Sequence, residues 1–121
     1  MTARDFQNAA KKKGIPWSLA KGFNTSCPIS KFIPKESVSD PHNIGLWCKV
    51  NGETKQDGNT KDMIFNIPTL VSYISQYFTL ETGDLVLTGT PAGVGPVVSG
   101  DVITAGLGDL VEMSFTVGDR K

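Results

Sequence analysis

The stretch "IGLWCKVNGETKQDG", which runs from Ile44 to Gly58, decides the fold class because it predicts two strands joined by a tight turn. Leu46, Cys48 and Val50 occupy alternate positions, as expected for one face of a strand. The Asn-Gly pair at positions 51 and 52 is the strongest short signal for a two-residue hairpin turn. The sequence therefore predicts a β-hairpin here.

Three further short strands are predicted downstream of this hairpin. Leu85 to Leu87 form an apolar run that predicts a buried strand, and residues 102 to 105 predict another. Apolar and polar residues then alternate from Val111 to Val117, which predicts a third strand with one buried face. Because short strands outnumber helices, the predicted class is α+β and β-rich, and not a doubly wound parallel sheet.

Two helices are predicted from apolar residues spaced three or four positions apart. One follows Asn66, its predicted N-cap, and keeps an apolar face as far as residue 78, with Pro68 in its first turn. A shorter helix is predicted near the N-terminus, where Thr2 and Asp5 resemble a capping pair and the glycine at position 14 ends the helix. Prolines between residues 17 and 41 predict extended segments and loops.

Length, charge and cysteine content restrict the function. A chain of 121 residues predicts one domain, and 12 basic against 12 acidic residues give no basic field that would attract nucleic acid or an anionic membrane. The apolar runs are far shorter than the ~20 residues that span a bilayer, and the N-terminal residues have no apolar signal core. Cys27 and Cys48 lack metal-site spacing and are predicted to be buried thiols. We therefore expect a soluble intracellular protein.

The glycine-rich segment "DLVLTGTPAGVGP", from Asp84 to Pro96, invites comparison with phosphate-binding loops. A P-loop needs a Lys-Ser or Lys-Thr pair after its glycines, and none follows here. A dinucleotide-binding loop would have to open a helix, which Pro91, Pro96 and three glycines oppose. The segment therefore predicts a sharp turn after a strand and no phosphate site.

A self-contained catalytic centre finds little support in the residue pattern. His42 is the only histidine, and its turn-like context "SDPHNIG" favours a surface loop over a catalytic base. The acidic residues fall mostly in predicted turns, without the pairing that metal binding or acid–base catalysis requires. Single residues therefore do not identify the function, and longer segments that resemble a known family carry more information.

Three segments together closely resemble the fumarylacetoacetate hydrolase family. They are "TARDFQ" from Thr2, "GIPWSLAKGFNTSCP" from Gly14, and "VNGETKQDGNTKDMIF" from Val50 with "GDLVLTGTPAGVGPVVSGD" from Gly83. These segments keep the family's order and spacing from Thr2 to nearly the end of the chain. Within the family, the chain resembles the small acylpyruvases and oxaloacetate decarboxylases.

The resemblance implies a fold and a chemistry. Family members are β-rich rolls of mixed sheets that hold Mg²⁺ or Mn²⁺ with two glutamates and an aspartate. The cation chelates the oxo-acid end of a 1,3-dicarbonyl or of oxaloacetate, and can stabilise an enolate as a carbon–carbon bond breaks. Hydrolysis of acylpyruvates and decarboxylation of oxaloacetate both stay open, since both pass through this enolate.

Four residues match functional positions of the family. Arg4 and Gln7 match its arginine and glutamine at the polar end of the substrate, where a guanidinium fork and an amide can fix a carboxylate or carbonyl. Lys21 matches the catalytic lysine, whose ammonium would stabilise charge on the enolate oxygen. Thr90, in the glycine-rich segment, matches the threonine that contacts the substrate carboxylate.

Other family positions are weak or lie outside this sequence. Asn24 and Thr25 fall where some members contact the metal region, although this chain has asparagine where others have glycine or aspartate. The aspartate and two glutamates that bind metal belong upstream of Met1, as do the lid histidine and glutamate, and His42 does not match that histidine. The resemblance thus implies the C-terminal segment of a catalytic domain, with no metal ligand of its own and with little metal binding or turnover alone.

The same features keep a non-catalytic alternative open. A truncated isoform or association module would lack the metal ligands and would only bind a full-length partner. The expected partners are a small oxo acid and either a second copy, as a homodimer, or the N-terminal half of the same enzyme. The expected location is mitochondrial or cytoplasmic.

Overall fold

A computed structural model describes residues 1–119, which form two compact units, Met1–Ser30 and the residues from Lys31 onward. Each unit is described by itself. Within residues 1–119 no helix is both long enough and apolar enough to cross a bilayer. The assignment of the whole chain to one domain stays a prediction.

The first unit consists of two helices, α1 (Arg4–Lys13) and α2 (Ser18–Lys21). Helix α1 ends as predicted at Gly14, whose φ of 64° is the left-handed conformation that glycine adopts without strain. Its predicted capping pair is wrong, because Ala3 is the N-cap and no side chain caps the helix. The prediction of extended structure after Trp17 is also wrong at α2, where the amides of Ala20 and Lys21 donate to the Trp17 carbonyl.

The second unit is built on a four-stranded antiparallel sheet. Its strands are β1 (Gly45–Val50), β2 (Glu53–Asn59), β3 (Val102–Leu107) and β4 (Val111–Thr116), in the spatial order β2-β1-β3-β4. The predicted hairpin between β1 and β2 is confirmed, with φ of 51° at Asn51 and 82° at Gly52, as a type I′ turn requires. The two C-terminal strands are also confirmed, and the alternation along β4 is present in its burial pattern.

Helix α3 (Ile67–Ile74) begins as the sequence predicts. The Asn66 side chain accepts a hydrogen bond from the Thr69 amide at 2.9 Å, which satisfies one of the unpaired donors of the first turn. The helix ends at Ile74, four residues before the predicted limit, and turns follow it. Two short 3₁₀ helices, Lys35–Ser37 and Thr60–Asp62, complete the regular structure of the second unit as far as residue 119.

The buried strand predicted at Leu85 to Leu87 is wrong. Residues 84–98 have no regular secondary structure, and the Leu85 and Leu87 side chains are 63% and 82% exposed. The physical reason is the lack of a neighbour, because no strand of the described sheet pairs with this run. Cys27 is likewise exposed and not buried, whereas Cys48 is half-buried on β1.

Few side chains of either unit are buried. Gln7, Ala10, Ala20 and Ser26 are buried in the first unit, and Ile103 is buried in the second. The α+β, β-rich class predicted from the sequence is confirmed, but most of the predicted core residues keep substantial exposure. Exposed apolar side chains of this kind favour association with other proteins.

Candidate functional site

Arg4 and Gln7 lie one turn apart on α1 and contact each other. Arg4 Nη1 donates a hydrogen bond to Gln7 Oε1 at 2.8 Å, and Gln7 is only 4% exposed whereas Arg4 is exposed. The i, i+3 spacing places both side chains on one face of the helix. The buried amide therefore fixes one edge of an exposed guanidinium, whose other N–H groups can bind a carboxylate.

Lys21 at the end of α2 is joined to the segment that precedes α1. Its Nζ donates to Thr2 Oγ1 at 2.8 Å, while the Ala3 amide donates to the Ala20 carbonyl at 3.0 Å. Ser26 holds the end of α2, since its hydroxyl donates to the Lys21 carbonyl at 2.9 Å. The ammonium group thus lies at the start of the motif that carries Arg4, with two of its three protons left for other acceptors.

Asn24 and Thr25, the weakest of the predicted site residues, form an exposed turn. Thr25 has a φ of 65°, which is uncommon for a β-branched residue, and its hydroxyl donates to the Asn24 carbonyl at 2.6 Å. That bond uses the single hydrogen of the Thr25 hydroxyl within the turn itself. A role of either residue near a metal stays a prediction.

Thr90 belongs to the second unit, where a side chain of β2 holds it. Gln56 Nε2 donates to Thr90 Oγ1 at 2.9 Å and to the Pro91 carbonyl at 2.8 Å, and lies 3.4 Å from the Ala92 carbonyl. Thr90 is exposed, and Gln56 is half-buried. Nothing in the sequence pattern of β2 singled out Gln56, because its role depends on a contact between positions 34 residues apart.

The loop that carries Thr90 packs directly on β2. A Cβ atom at Gly93 would lie 1.8 Å from the Lys55 carbonyl oxygen, and one at Gly58 would lie 3.1 Å from Pro91 Cβ. Gly93 also has a φ of 99°, which only glycine adopts easily. These glycines therefore allow close approach of two backbones, which agrees with the rejection of a phosphate loop.

A cavity of about 270 Å³ opens beside Thr90 in the second unit. Its walls are mainly apolar and include Leu46, Met63, Phe65 and Leu70. Polar groups come from Asn59, Thr60, Asp62, Thr88 and Thr90. An apolar chamber with a few polar groups is the usual form of a small-molecule site. The arrangement suits a ligand with one polar end at Thr90.

Carboxylate and imidazole groups do not converge on a metal site in the described chain. Among residues 1–119, no three His, Cys, Asp or Glu side chains lie close enough together to hold a metal ion. The donor set that Mg²⁺ or Mn²⁺ would need is three or more oxygen ligands. The residues described here do not fit such an ion by themselves, and we assign no step of the chemistry to one.

His42 supports α3. Its Nε2 accepts a hydrogen bond from the Ile67 amide at 3.2 Å, and its own amide donates to Asp40 Oδ1 at 2.9 Å. Ile67 is the first residue of α3, so this imidazole satisfies a helix amide that lacks an intrahelical partner. The residue lies in a turn, as predicted, and has a structural contact there.

The first unit thus carries an arginine–glutamine pair and a fixed lysine, and the second unit carries a threonine beside a small cavity. Comparison with known proteins shows which family shares this sequence and fold. Residues 1–118 match the family model described as fumarylacetoacetate hydrolase, C-terminal. The chain belongs to the fumarylacetoacetate hydrolase family.

Three relatives illustrate the similarity. The chain is 59% identical to the mitochondrial oxaloacetate tautomerase FAHD1 of Homo sapiens over 97% of its own length and 53% of that protein. It is 54% identical to the mitochondrial oxaloacetate decarboxylase of Dictyostelium discoideum over 100% of its own length and 56% of that protein. A crystal structure of fumarylpyruvate hydrolase from Pseudomonas aeruginosa, in complex with Mn²⁺ and pyruvate, superposes with a TM-score of 0.92 at 37% identity, covering 98% of this chain and 51% of that one.

The chain therefore spans about half the length of the relatives it matches. The family match over residues 1–118 confirms the predicted family, and the superposition on solved structures confirms its fold. They do not assign roles to individual residues of this chain. The roles of Arg4, Gln7, Lys21 and Thr90 remain proposals.

Proposed function

We propose that this chain forms the C-terminal part of an enzyme that converts oxaloacetate through its enolate. The observation that carries the proposal is the Lys21 ammonium held by Thr2, two residues before Arg4 of the Arg4–Gln7 pair. Similarity to a tautomerase and a decarboxylase of oxaloacetate across nearly the whole chain supports the choice of substrate.

The chemistry follows from the charges of these side chains. In decarboxylation, the bond between the methylene carbon and its carboxylate breaks, carbon dioxide leaves, and the electron pair moves onto the neighbouring carbonyl oxygen as an enolate. A nearby ammonium such as that of Lys21 lowers the energy of that oxyanion. Tautomerisation instead passes through the enolate of oxaloacetate itself, which keeps both carboxylates and forms by loss of a methylene proton that later returns. Both reactions place negative charge on the same carbonyl oxygen, so one ammonium can stabilise both enolates.

Substrate orientation is assigned to the remaining polar residues. In the first unit, Arg4, held by Gln7, offers a planar fork that matches a carboxylate. In the second unit, the Thr90 hydroxyl can donate a hydrogen bond to a substrate carboxylate. Cleavage of acylpyruvates by hydrolysis is the related reaction that the cavity beside Thr90 would accommodate, because its apolar wall suits an acyl group.

A divalent cation, Mg²⁺ or Mn²⁺, is part of this proposal only for the complete protein. It would supply a Lewis acid for the oxo-acid oxygens, and the Mn²⁺ in the fumarylpyruvate hydrolase complex supports its presence in the family. Its ligands are proposed to be the two glutamates and one aspartate of the family, contributed from outside this sequence. A mitochondrial location is proposed because the eukaryotic relatives described above are named as mitochondrial.

The test is a chimera in which this chain replaces the matching portion of the human tautomerase. Enol-to-keto conversion and carbon dioxide release from oxaloacetate are measured, with acetylpyruvate cleavage in parallel. We expect turnover of oxaloacetate, and a fall in kcat of roughly 10²- to 10³-fold for Lys21→Met because an oxyanion-stabilising donor is lost.

Lys12→Met is the matched control, since Lys12 lies in the last turn of α1 and is exposed. It removes the same charge and should leave kcat unchanged. A folded chimera that converts neither oxaloacetate nor acetylpyruvate would refute the proposal, as would equal effects of the two substitutions.

The second candidate function is a non-catalytic association module. The observation that favours it is the exposure of large apolar side chains in the second unit, such as Ile64 at 92% and Leu87 at 82%. Mixing the chain with the separately expressed N-terminal portion of the human tautomerase distinguishes the enzyme function from the association-module function. Recovery of oxaloacetate turnover supports the enzyme, and binding without turnover supports the module.

A further inference from the structure

We infer that Gln56 is a positioning residue that turns the hydroxyl hydrogen of Thr90 toward the substrate carboxylate. The inference rests on the proposed function for the identity of the substrate. Its structural basis lies entirely in the second unit, in the contact between β2 and the loop that carries Thr90.

The orientation of the Gln56 amide is determined by its neighbours. The side chain has a nitrogen that only donates and an oxygen that only accepts. The Pro91 carbonyl at 2.8 Å and the Ala92 carbonyl at 3.4 Å can only accept, so the nitrogen must face the loop. The flipped amide would place its oxygen against two carbonyl oxygens, which is unfavourable.

This orientation decides what the Thr90 hydroxyl can do. Because Gln56 Nε2 donates to Thr90 Oγ1 at 2.9 Å, one lone pair of that oxygen is engaged as an acceptor. A hydroxyl has a single hydrogen, which cannot point at a group that is itself donating. The Thr90 hydrogen is therefore directed away from Gln56, and it is available to an anionic oxygen.

The loop needs such a support because it has no regular structure. Residues 84–98 lack helix and strand, and within residues 1–119 the side-chain hydrogen bonds to positions 88–93 all come from Gln56. Gln56 itself lies on β2 and pairs with Cys48 of β1. A hydrogen bond from a paired strand thus fixes a side chain that its own loop would leave mobile, which lowers the entropy lost on binding.

The test uses the chimera described above and measures two quantities for each variant. The first is the dissociation constant for pyruvate by calorimetry, and the second is kcat and KM for oxaloacetate. Gln56→Met keeps the length of the side chain and removes the donor. We expect about a tenfold weaker affinity for pyruvate and a higher KM, with kcat nearly unchanged, since one hydrogen bond to a charged group is lost.

A double-mutant cycle with Thr90→Val shows whether Gln56 acts through Thr90. In the Thr90→Val background, Gln56→Met should cause no further loss, because the hydroxyl that it directs is gone. Gln56→Glu gives an independent check, since its carboxylate would accept the Thr90 hydrogen and should weaken pyruvate binding at least as much as Gln56→Met. Gln76→Met is the control, as Gln76 is exposed after α3.

The outcomes separate the inference from the proposed function. Equal effects of Gln56→Met and Gln76→Met, or additive effects of Gln56→Met and Thr90→Val, overturn the inference even when oxaloacetate is converted. Pyruvate binding without turnover refutes the proposed reaction, while the affinity cycle still decides the role of Gln56. A chimera that binds no pyruvate refutes both.

Discussion

At the scale of single residues, one hydrogen bond joins the Lys21 side chain to the segment before α1. The resemblance predicts a catalytic role for Lys21, and the sequence predicts Thr2 as a capping residue of α1. In the structure, Thr2 Oγ1 instead accepts a hydrogen bond from the Lys21 ammonium at 2.8 Å. Local spacing could not reveal this bond, because it joins positions 19 residues apart. The same limit applies to Gln56 and Thr90, whose contact depends on how the loop packs on β2.

Asp101 shows how one side chain ties the hairpin turn to the start of β3. Its carboxylate accepts hydrogen bonds from the Val98 amide at 2.9 Å and from Asn51 Nδ2 at 2.8 Å. The hydrogen bond from the Val98 backbone amide is the largest cause that holds the pKa of Asp101 below its ordinary value, and the bond from the Asn51 side chain is the second. A smaller effect of burial opposes them. The charged form is therefore favoured by folding.

We expect this carboxylate to make stability depend on pH in acid. Because the folded pKa is lowered, its contribution is fully present above the unfolded pKa of about 4 and is lost as pH falls through the lower folded value. Asp101→Asn should lower the urea midpoint at pH 7, and the difference from wild type should shrink below about pH 4. A difference that stays constant between pH 7 and pH 3 would contradict this role of Asp101.

At the scale of elements, the signals that succeeded were those satisfied within a few residues. Asn51-Gly52 supplies the backbone angles of its own turn, and Asn66 bonds to an amide three positions away. The apolar run at Leu85 to Leu87 failed because a strand also needs a neighbouring strand, and none in the described sheet pairs with it. Apolar content alone does not supply that partner.

Gly93 tests whether the loop after Leu87 is held against β2. Gly93→Ala should lower the free energy of unfolding by about 2–4 kcal/mol, because the φ of 99° disfavours a side chain and the new Cβ would overlap the Lys55 carbonyl. Gly95→Ala is the matched control, since no atom lies within 4 Å of its Cβ position. Urea unfolding of both variants provides the measurement, and equal midpoints would contradict the packing of this loop.

At the scale of the whole molecule, family membership could be predicted from the sequence, but the degree of exposure could not. The alternating and helical patterns predict buried faces, yet Ile103 is the one buried apolar residue among the described residues of the second unit. The chain matches about half the length of the relatives compared above. Apolar surface left open in this way favours association.

We therefore expect the 121-residue chain to associate with itself when it is alone. Each large apolar side chain that becomes buried contributes roughly 1.5–3 kcal/mol, so Leu87 at 82% exposure is a strong candidate for such contacts. Analytical ultracentrifugation should find species heavier than 13.0 kDa that bind an apolar dye, and Leu87→Asp should weaken this association at least tenfold. Ser99→Asp, an exposed polar control with the same added charge, should not weaken the association.

Adding the N-terminal portion of the human tautomerase should displace the dye by covering the same side chains. A chain that sediments as a monomer without dye binding would contradict this reading of its exposed apolar residues.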